Sequence, residues 1–253
     1  MHIAVCIKQV PARDWQPRID DQGTWIRETD VAYEMNEPDA YALEEALRLK
    51  ERHGGDVVVC SAGPARVVQV LREALARGAD RAIHVADDSL GHAEPLDVGS
   101  ALANSLRGEQ FDLILAGLQS DDMGFGQTGV VMAERLGMSH ATIVMEVVVE
   151  GTSLRVKREL EGGWFQWVRL PLPSVLTIQS GINQLRYATL KGIMAARKKE
   201  IRSEVNATRG TAGQTIVGLY APEKSRRTQL IPGSANEAAK ELVRRLREDA
   251  RVI

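Results

Sequence analysis

No basic surplus, no membrane-length apolar run and no cluster of metal-ligating side chains is found in this chain, and each absence closes off a class of function. Lys and Arg number 32 against 34 Asp and Glu, a net charge of −2, so no bulk field favours a nucleic-acid backbone. No apolar stretch approaches the ~20 residues of a membrane span, which argues against membrane insertion. His2, His53, His84, His92 and His140 are scattered without metal spacing. No Ser, His and carboxylate partners assemble into a triad, so neither a metal nor a catalytic residue is expected. Only two cysteines occur, Cys6 and Cys60, inside apolar runs and without a disulfide framework. They read as buried free thiols of a reducing compartment. The opening MHIAVCIKQV enters a strand pattern with no leader signal, and a cytoplasmic protein is expected.

What is present is ordinary globular material, 44% hydrophobic and 26% charged, in a chain of 253 residues long enough to bury a large core. Short apolar runs alternate with helix-period segments. Strands are expected at Ile3–Ile7, Val57–Cys60, Arg81–Val85 and Phe111–Ala116, and helices at Tyr41–Arg52, Val67–Arg77, Leu96–Leu106 and Gln127–Leu136. Continuously apolar strands alternating with helices predict a parallel sheet covered on both faces, with ligands beyond the carboxyl ends of the strands. A long insert, Pro11 to Pro38, interrupts the first repeat and holds the hairpin-turn signal Asp20-Asp21-Gln22-Gly23. After Gly137 four further strand patterns follow, Ile143–Val149, Ser153–Arg158, Trp164–Leu170 and Val175–Ile178, which predict an antiparallel extension. From about Arg197 the sequence turns polar and irregular as far as Gly233. A last helix follows, capped by Ser234 or Asn236, with Ala239, Leu242, Val243 and Leu246 on one face. We therefore divide the chain into an α/β domain over residues 1–196 and a C-terminal arm with its helix over residues 197–253.

The most informative segment is Phe111 to Leu136, FDLILAGLQSDDMGFGQTGVVMAERL: strand, glycine-rich loop, helix. Such a junction gathers backbone N–H groups and the positive end of a helix dipole, a ready place for phosphate. Lys and Arg are missing from Gly117 to Gly129, while Asp121 and Asp122 are present. A single phosphate is better served there than a polyphosphate. Gly124, Gly126 and Gly129 match G-x-G-x-x-G, but the motif follows a fourth strand rather than a first, outside the context of a dinucleotide fingerprint. Without a ligand the same residues make an ordinary capped helix start. No P-loop and no Ser-Gly-Gly-x-Asp-Ser loop occurs. The turn Ser61-Ala62-Gly63-Pro64 is small enough for a flat base to approach its backbone, or is a plain turn. Arg186-Tyr-Ala-Thr-Leu-Lys191 with Arg197, Lys198, Lys199 and Arg202 makes a basic run around Tyr187 and Leu190. It reads either as a solvated helix end or as an apolar anchor rimmed by positive charge, the form of a transient docking site.

Taken together, these segments resemble the β-subunit of electron transfer flavoproteins across nearly the whole chain. The likeness runs through Val5-Cys-Ile-Lys-Gln-Val10, Glu44-Glu-Ala-Leu-Arg-Leu-Lys50, Ser61-Ala-Gly-Pro64, Gly78-Ala-Asp-Arg-Ala-Ile-His-Val85, Gln127-Thr-Gly129 and Arg186-Tyr-Ala-Thr-Leu190. The resemblance implies an adenine-nucleotide α-hydrolase-like sheet and a heterodimer whose α-subunit carries the redox-active FAD, on which the terminal helix would pack. It implies a structural AMP in this chain. The contacts carried over are Cys6; Asn36, Glu37, Pro38 and Asp39; Val59, Ser61 and Ala62; and, in the loop, Gly117, Gln119, Ser120, Asp121, Asp122, Gly126, Gln127 and Thr128. Arg13 and Trp15 would lie nearest the partner's flavin. Tyr187, Leu190 and Lys191 would dock acyl-CoA or related dehydrogenases, whose electrons pass to a quinone oxidoreductase, as in fatty acid β-oxidation. Two departures bear on this. The family has Asn-Pro where this chain has Asn36-Glu37-Pro38. A bifurcating branch carries a second FAD in place of AMP and has Val-Gly-Pro after the loop's glutamine, where this chain has Gln127-Thr128-Gly129, the AMP-branch pattern. Two further readings are a free-standing nucleotide sensor of the universal-stress type and an ATP-using enzyme of the same fold. The sensor has no use for a docking run, and the enzyme needs phosphate-loop residues that are missing.

Overall fold

The computed structural model describes residues 1–205, 213–222 and 228–253. Its chain forms two compact units, Met1–Arg18 with Ile26–Val217, and Ile19–Trp25 with Gly218–Ile253.

The first unit is built on β1 (His2–Cys6), β4 (Asp56–Gly63), β5 (Arg81–Ala86), β6 (Leu113–Gly117), β7 (Ser139–Glu150), β8 (Ser153–Glu159), β9 (Phe165–Pro171), β10 (Ser174–Ile178) and β11 (Ile201–Val205). They form one sheet in the order β11-β5-β4-β1-β6-β10-β7-β8-β9. The first seven in that order run parallel; β8 and β9 are antiparallel. A short pair, β2 (Gln9–Pro11) and β3 (Tyr33–Met35), closes the two ends of the insert against each other.

Alternation along the strands sends side chains to two helical layers. Val57 and Val59 pack with Leu43 and Leu47 of α1 (Glu37–His53) and Val70 and Leu71 of α2 (Val68–Arg77). Ala4, Cys6, Val58 and Cys60 pack with Leu102 of α3 (Pro95–Leu106) and Met132 of α4 (Thr128–Leu136). α1 begins four residues before the apolar periodicity does. Its first turn holds Pro38 with Glu37 and Asp39, and its last holds Lys50, Arg52 and His53, the charge order that complements the helix dipole. α4 lies so close to β10 that a Cβ on Gly129 would fall inside 3.0 Å of Thr177 Cγ2.

Two expectations need correction. Val175–Ile178 was expected in the antiparallel extension, but β10 is inserted parallel between β6 and β7. All five of its residues are buried, as a central strand requires, whereas edge strand β9 exposes five of seven. Second, the polar stretch after Arg197 is not irregular throughout: Ile201–Val205 pairs parallel with β5. As an edge strand half wet, with Arg202, Ser203 and Glu204 in its middle, it lacks the apolar run that marks the others. The sheet thus extends past the boundary expected after Ala196, and α5 (Leu190–Ala196) precedes it. Residues 206–212 and 223–227 of the expected arm lie outside the described residues.

In the second unit the Asp20–Gly23 turn forms as its sequence predicts. Asp20 N–H donates to the Trp25 carbonyl at 2.8 Å, Gly23 takes a left-handed φ of +72°, and Leu219 N–H donates to the Gly23 carbonyl at 2.7 Å. The last helix, α6 (Ala235–Glu248), is capped by Ser234, not Asn236, through a capping box with Glu237. None of its residues is buried. Among the described residues no helix is long and apolar enough to cross a membrane.

Candidate functional site

Strand order turns around at β1, which has β4 on one side and β6 on the other. The gap this leaves at the carboxyl ends of β1 and β6 is where ligands enter such sheets. A cleft opens there, lined by residues of β1, β4 and β6, of the helices α1, α3 and α4 and of the loop after β6, at the switch point where such sheets take small molecules.

Its floor is organised by two buried side chains at the start of α1. The Asp39 carboxylate accepts the N–H of Lys8 at 2.8 Å and of Gly117 at 2.7 Å, tying together the residues that follow β1 and end β6. Burial raises its pKa from the ordinary 3.8 to about 6, against the lowering effect of those two bonds. A Cβ on Gly117 would stand 2.5 Å from Asp39 Oδ1 and 2.6 Å from Pro38 Cβ, so only glycine lets the helix come this near. Asn36, the α1 N-cap, donates to the Gln119 carbonyl at 3.0 Å and accepts Asp121 N–H at 2.9 Å. It fixes the loop rather than its own helix.

A cation reaches the loop from another strand. Lys8 Nζ lies 2.7 and 2.8 Å from the Asp122 oxygens and 3.3 Å from Ser120 Oγ. The missing lysine of Gly117–Gly129 is thus supplied from the end of β1, and half of the acidic pair is already neutralised. The far side of the cleft is α4, whose first turn offers N–H groups without helical acceptors.

Of the residues expected around a nucleotide, Cys6, Asn36, Asp39, Ala62, Gly117, Gln119, Ser120, Gly126, Gln127 and Thr128 line the cleft. The others do not. Val59 and Ser61 share the strand parity of the α1–α2 face, opposite to Cys6, Cys60 and Ala62. Ser61 is buried with its hydroxyl unpaired. Pro38 is buried in α1, Glu37 pairs with Arg13, Asp121 contributes its backbone, and Asp122 is held by Lys8. Displacing the proline by one residue keeps Asn36 at the cap and puts Pro38 in the first turn.

Sequence reasoning missed an apolar wall formed by Leu90, Ala93, Pro95, Val98 and Leu102, with Met123 and Phe125 from the loop. The 3₁₀ turn Asp88–Gly91 after β5 and the proline opening α3 were its available signals. Cys6 forms part of this lining; burial pushes its thiol well above the ordinary range, so it is an apolar contact and not a nucleophile. Both cysteines are free, and no group of side chains suited to a metal occurs among the described residues.

In the insert, Arg13 is exposed and paired with Glu37, and its N–H donates to Glu34 at 3.0 Å. Trp15 is half-buried, with its N–H on the Ala12 carbonyl at 2.9 Å. The basic run lies elsewhere on this unit. Thr189 caps α5 through Gly192 N–H, and Tyr187 and Leu190 stand 88% and 84% exposed, far more than side chains that stabilise their own fold. Lys191 is exposed beside them.

Residues 24–208 match the electron transfer flavoprotein domain. Curated relatives carry the name electron transfer flavoprotein subunit beta. One from Methylophilus methylotrophus is 37% identical over 98% of each chain. One from Bradyrhizobium diazoefficiens is 40% identical, covering 83% of this chain and 84% of the relative. The human protein is 35% identical over the full length of this chain and 99% of its own.

Proposed function

The chain belongs to the electron transfer flavoprotein family as a β-subunit, and from that premise we propose that it is a non-catalytic carrier subunit holding AMP and supporting a flavin-bearing α-subunit. The observation that carries the AMP reading is the cleft between β1 and β6. Its apolar wall and small residues Ala62 and Gly117 suit a flat base, and the α4 N-terminus with Lys8 suits one phosphate. Asp121 beside it, and the sharing of Lys8 with Asp122, disfavour further phosphates. Gln127, Thr128 and Ser120 would hold the nucleotide by hydrogen bonds, and Asn36 and Asp39 would hold the loop that closes on it. The nucleotide then acts as a structural element, stabilising by mass action the state that binds it.

Redox exchange belongs to the FAD of the α-subunit. This chain contributes Arg13 and Trp15 towards that flavin, α6 as a surface for the partner, and Tyr187, Leu190 and Lys191 as the point where acyl-CoA or related dehydrogenases dock. Exposure of the α6 apolar residues Leu242 and Val243 supports the second of these assignments. Electrons leave to a quinone oxidoreductase. A cytoplasmic setting fits two unpaired buried thiols.

The test is acid extraction of nucleotide from the β-chain after separation from its partner. We expect one AMP per chain. One FAD per chain assigns the bifurcating type instead. A stable homodimer without any flavin-bearing partner overturns the carrier reading.

A further inference from the structure

The segment that exposes Tyr187 and Leu190 is anchored on both sides. On the carboxyl side α5 lies against α2: a Cβ on Gly192 would fall inside 3.0 Å of the Ala76 carbonyl. Arg72 donates to the carbonyls of Ala196 at 2.6 Å and Lys199 at 2.7 Å. On the amino side Asn183 donates to the Tyr41 carbonyl at 3.1 Å and Arg48 to the Gln184 carbonyl at 2.9 Å, and the anchor next to the exposed residues is the Arg186 side chain. Arg186 donates Nε and Nη2 to Glu44 at 2.7 and 3.1 Å, and Nη1 and Nη2 to Glu51 at 2.6 and 3.2 Å. Glu44 is 4% exposed at its side chain and also takes Arg48 Nε at 2.7 Å. Between these anchors stand Tyr187 and Leu190, both largely exposed.

We propose that Arg186 is the positioning residue of the docking segment, a guanidinium clamp across Glu44 and Glu51 that pre-orders Tyr187–Leu190 before a partner arrives. The proposal rests on the docking role given above and adds the device that makes it efficient. A flexible exposed loop must be ordered at the moment of binding, and that cost is subtracted from affinity. A loop clamped in advance avoids it. The clamp needs a planar fork rather than a charge, because two carboxylates about two turns apart on one face of α1 are spanned by separate N–H edges. Burial tends to raise the Glu44 carboxyl, but its bonds from Arg186 and Arg48 prevail and hold it below the ordinary range, so it stays ionised at neutral pH.

The experiment uses the purified FAD-loaded heterodimer, with a reduced acyl-CoA dehydrogenase as electron donor, and measures flavin reduction against heterodimer concentration alongside amide exchange. Arg186→Ala should raise KM roughly ten-fold, the equivalent of ordering one or two side chains, with kcat changed less than about two-fold. Exchange should rise at residues 187–192. Arg186→Lys should resemble Arg186→Ala; a wild-type KM there would overturn the clamp, since charge would suffice. Should Arg186→Ala fail to assemble, Glu51→Gln removes only the exposed half of the clamp and should give a smaller rise. Unchanged KM in both variants, with Leu190→Ala still raising it, removes the clamp and leaves the docking role. An unchanged KM in Leu190→Ala removes both.

Discussion

Gly129→Ala is expected to destabilise this chain, and the reason is one methyl group on another strand. The introduced Cβ would fall inside 3.0 Å of Thr177 Cγ2, against a preferred carbon separation of about 3.5–4.0 Å. Thr177 is 2% exposed in the middle of central strand β10, so it has little room to yield. α4 must move outward or Thr177 must leave its rotamer, an overpacking cost of about 1–3 kcal/mol. Alanine is the better helix former by up to ~1 kcal/mol, so the net loss should be about 1–2 kcal/mol. That is roughly 2–8 °C in Tm for a chain of this size. Thr177→Ser deletes the offending methyl. By itself it should cost about 1 kcal/mol for a lost buried methyl. In that background, however, Gly129→Ala should become neutral or stabilising, because only the propensity gain remains. The sign reversal is the diagnostic. Urea denaturation of all four members of the cycle measures it, with a coupling of at least about 1 kcal/mol expected. Additive effects, or a single Gly129→Ala costing under about 0.5 kcal/mol, would refute the packing argument. The first turn of α4 carries Gln127 and Thr128 into the cleft, so AMP recovered on acid extraction should fall in the single variant and return in the double.

Two further outcomes follow from the floor of the cleft. Asp39 titrates near pH 6 in the fold and near 3.8 when unfolded; a group raised in this way stabilises most below the lower value and loses that contribution as pH rises through the higher. Stability of the nucleotide-free chain should therefore fall between about pH 4 and 6 by up to about 3 kcal/mol from this group, and Asp39→Asn should flatten that window. An unaltered pH profile in the variant would remove the assignment. Lys8→Met should weaken AMP retention roughly five-fold, about 1 kcal/mol for a charge that is 41% exposed, and make binding less sensitive to salt. Equilibrium dialysis with labelled AMP reads both effects, and unchanged affinity would exclude Lys8 from the site.

How much was legible depended on the range of the forces involved. The eight elements of the first half, the Asp20–Gly23 turn, the capped start of the last helix and the strand-loop-helix at Phe111–Leu136 come from periodicity, capping and turn chemistry within a few residues. Those signals are local, and the sequence by itself determines them. It also carries the family likeness, which lies in short quoted segments. Tertiary structure decided the rest. Whether Ser174–Ile178 pairs with its neighbours in sequence or slips between β6 and β7 depends on partners dozens of residues away. Ile201–Val205 is a strand only because β5 offers an edge to it. Strand parity, which is set by register across the sheet, put Ala62 in the cleft and Val59 and Ser61 behind it. Lys8 and Asp122 are 114 residues apart in sequence, so a loop that reads as lacking any cation meets one only after folding. The same holds for Arg186 and Glu44, 142 residues apart: each reads by itself as surface charge, and only the packed chain makes them a clamp.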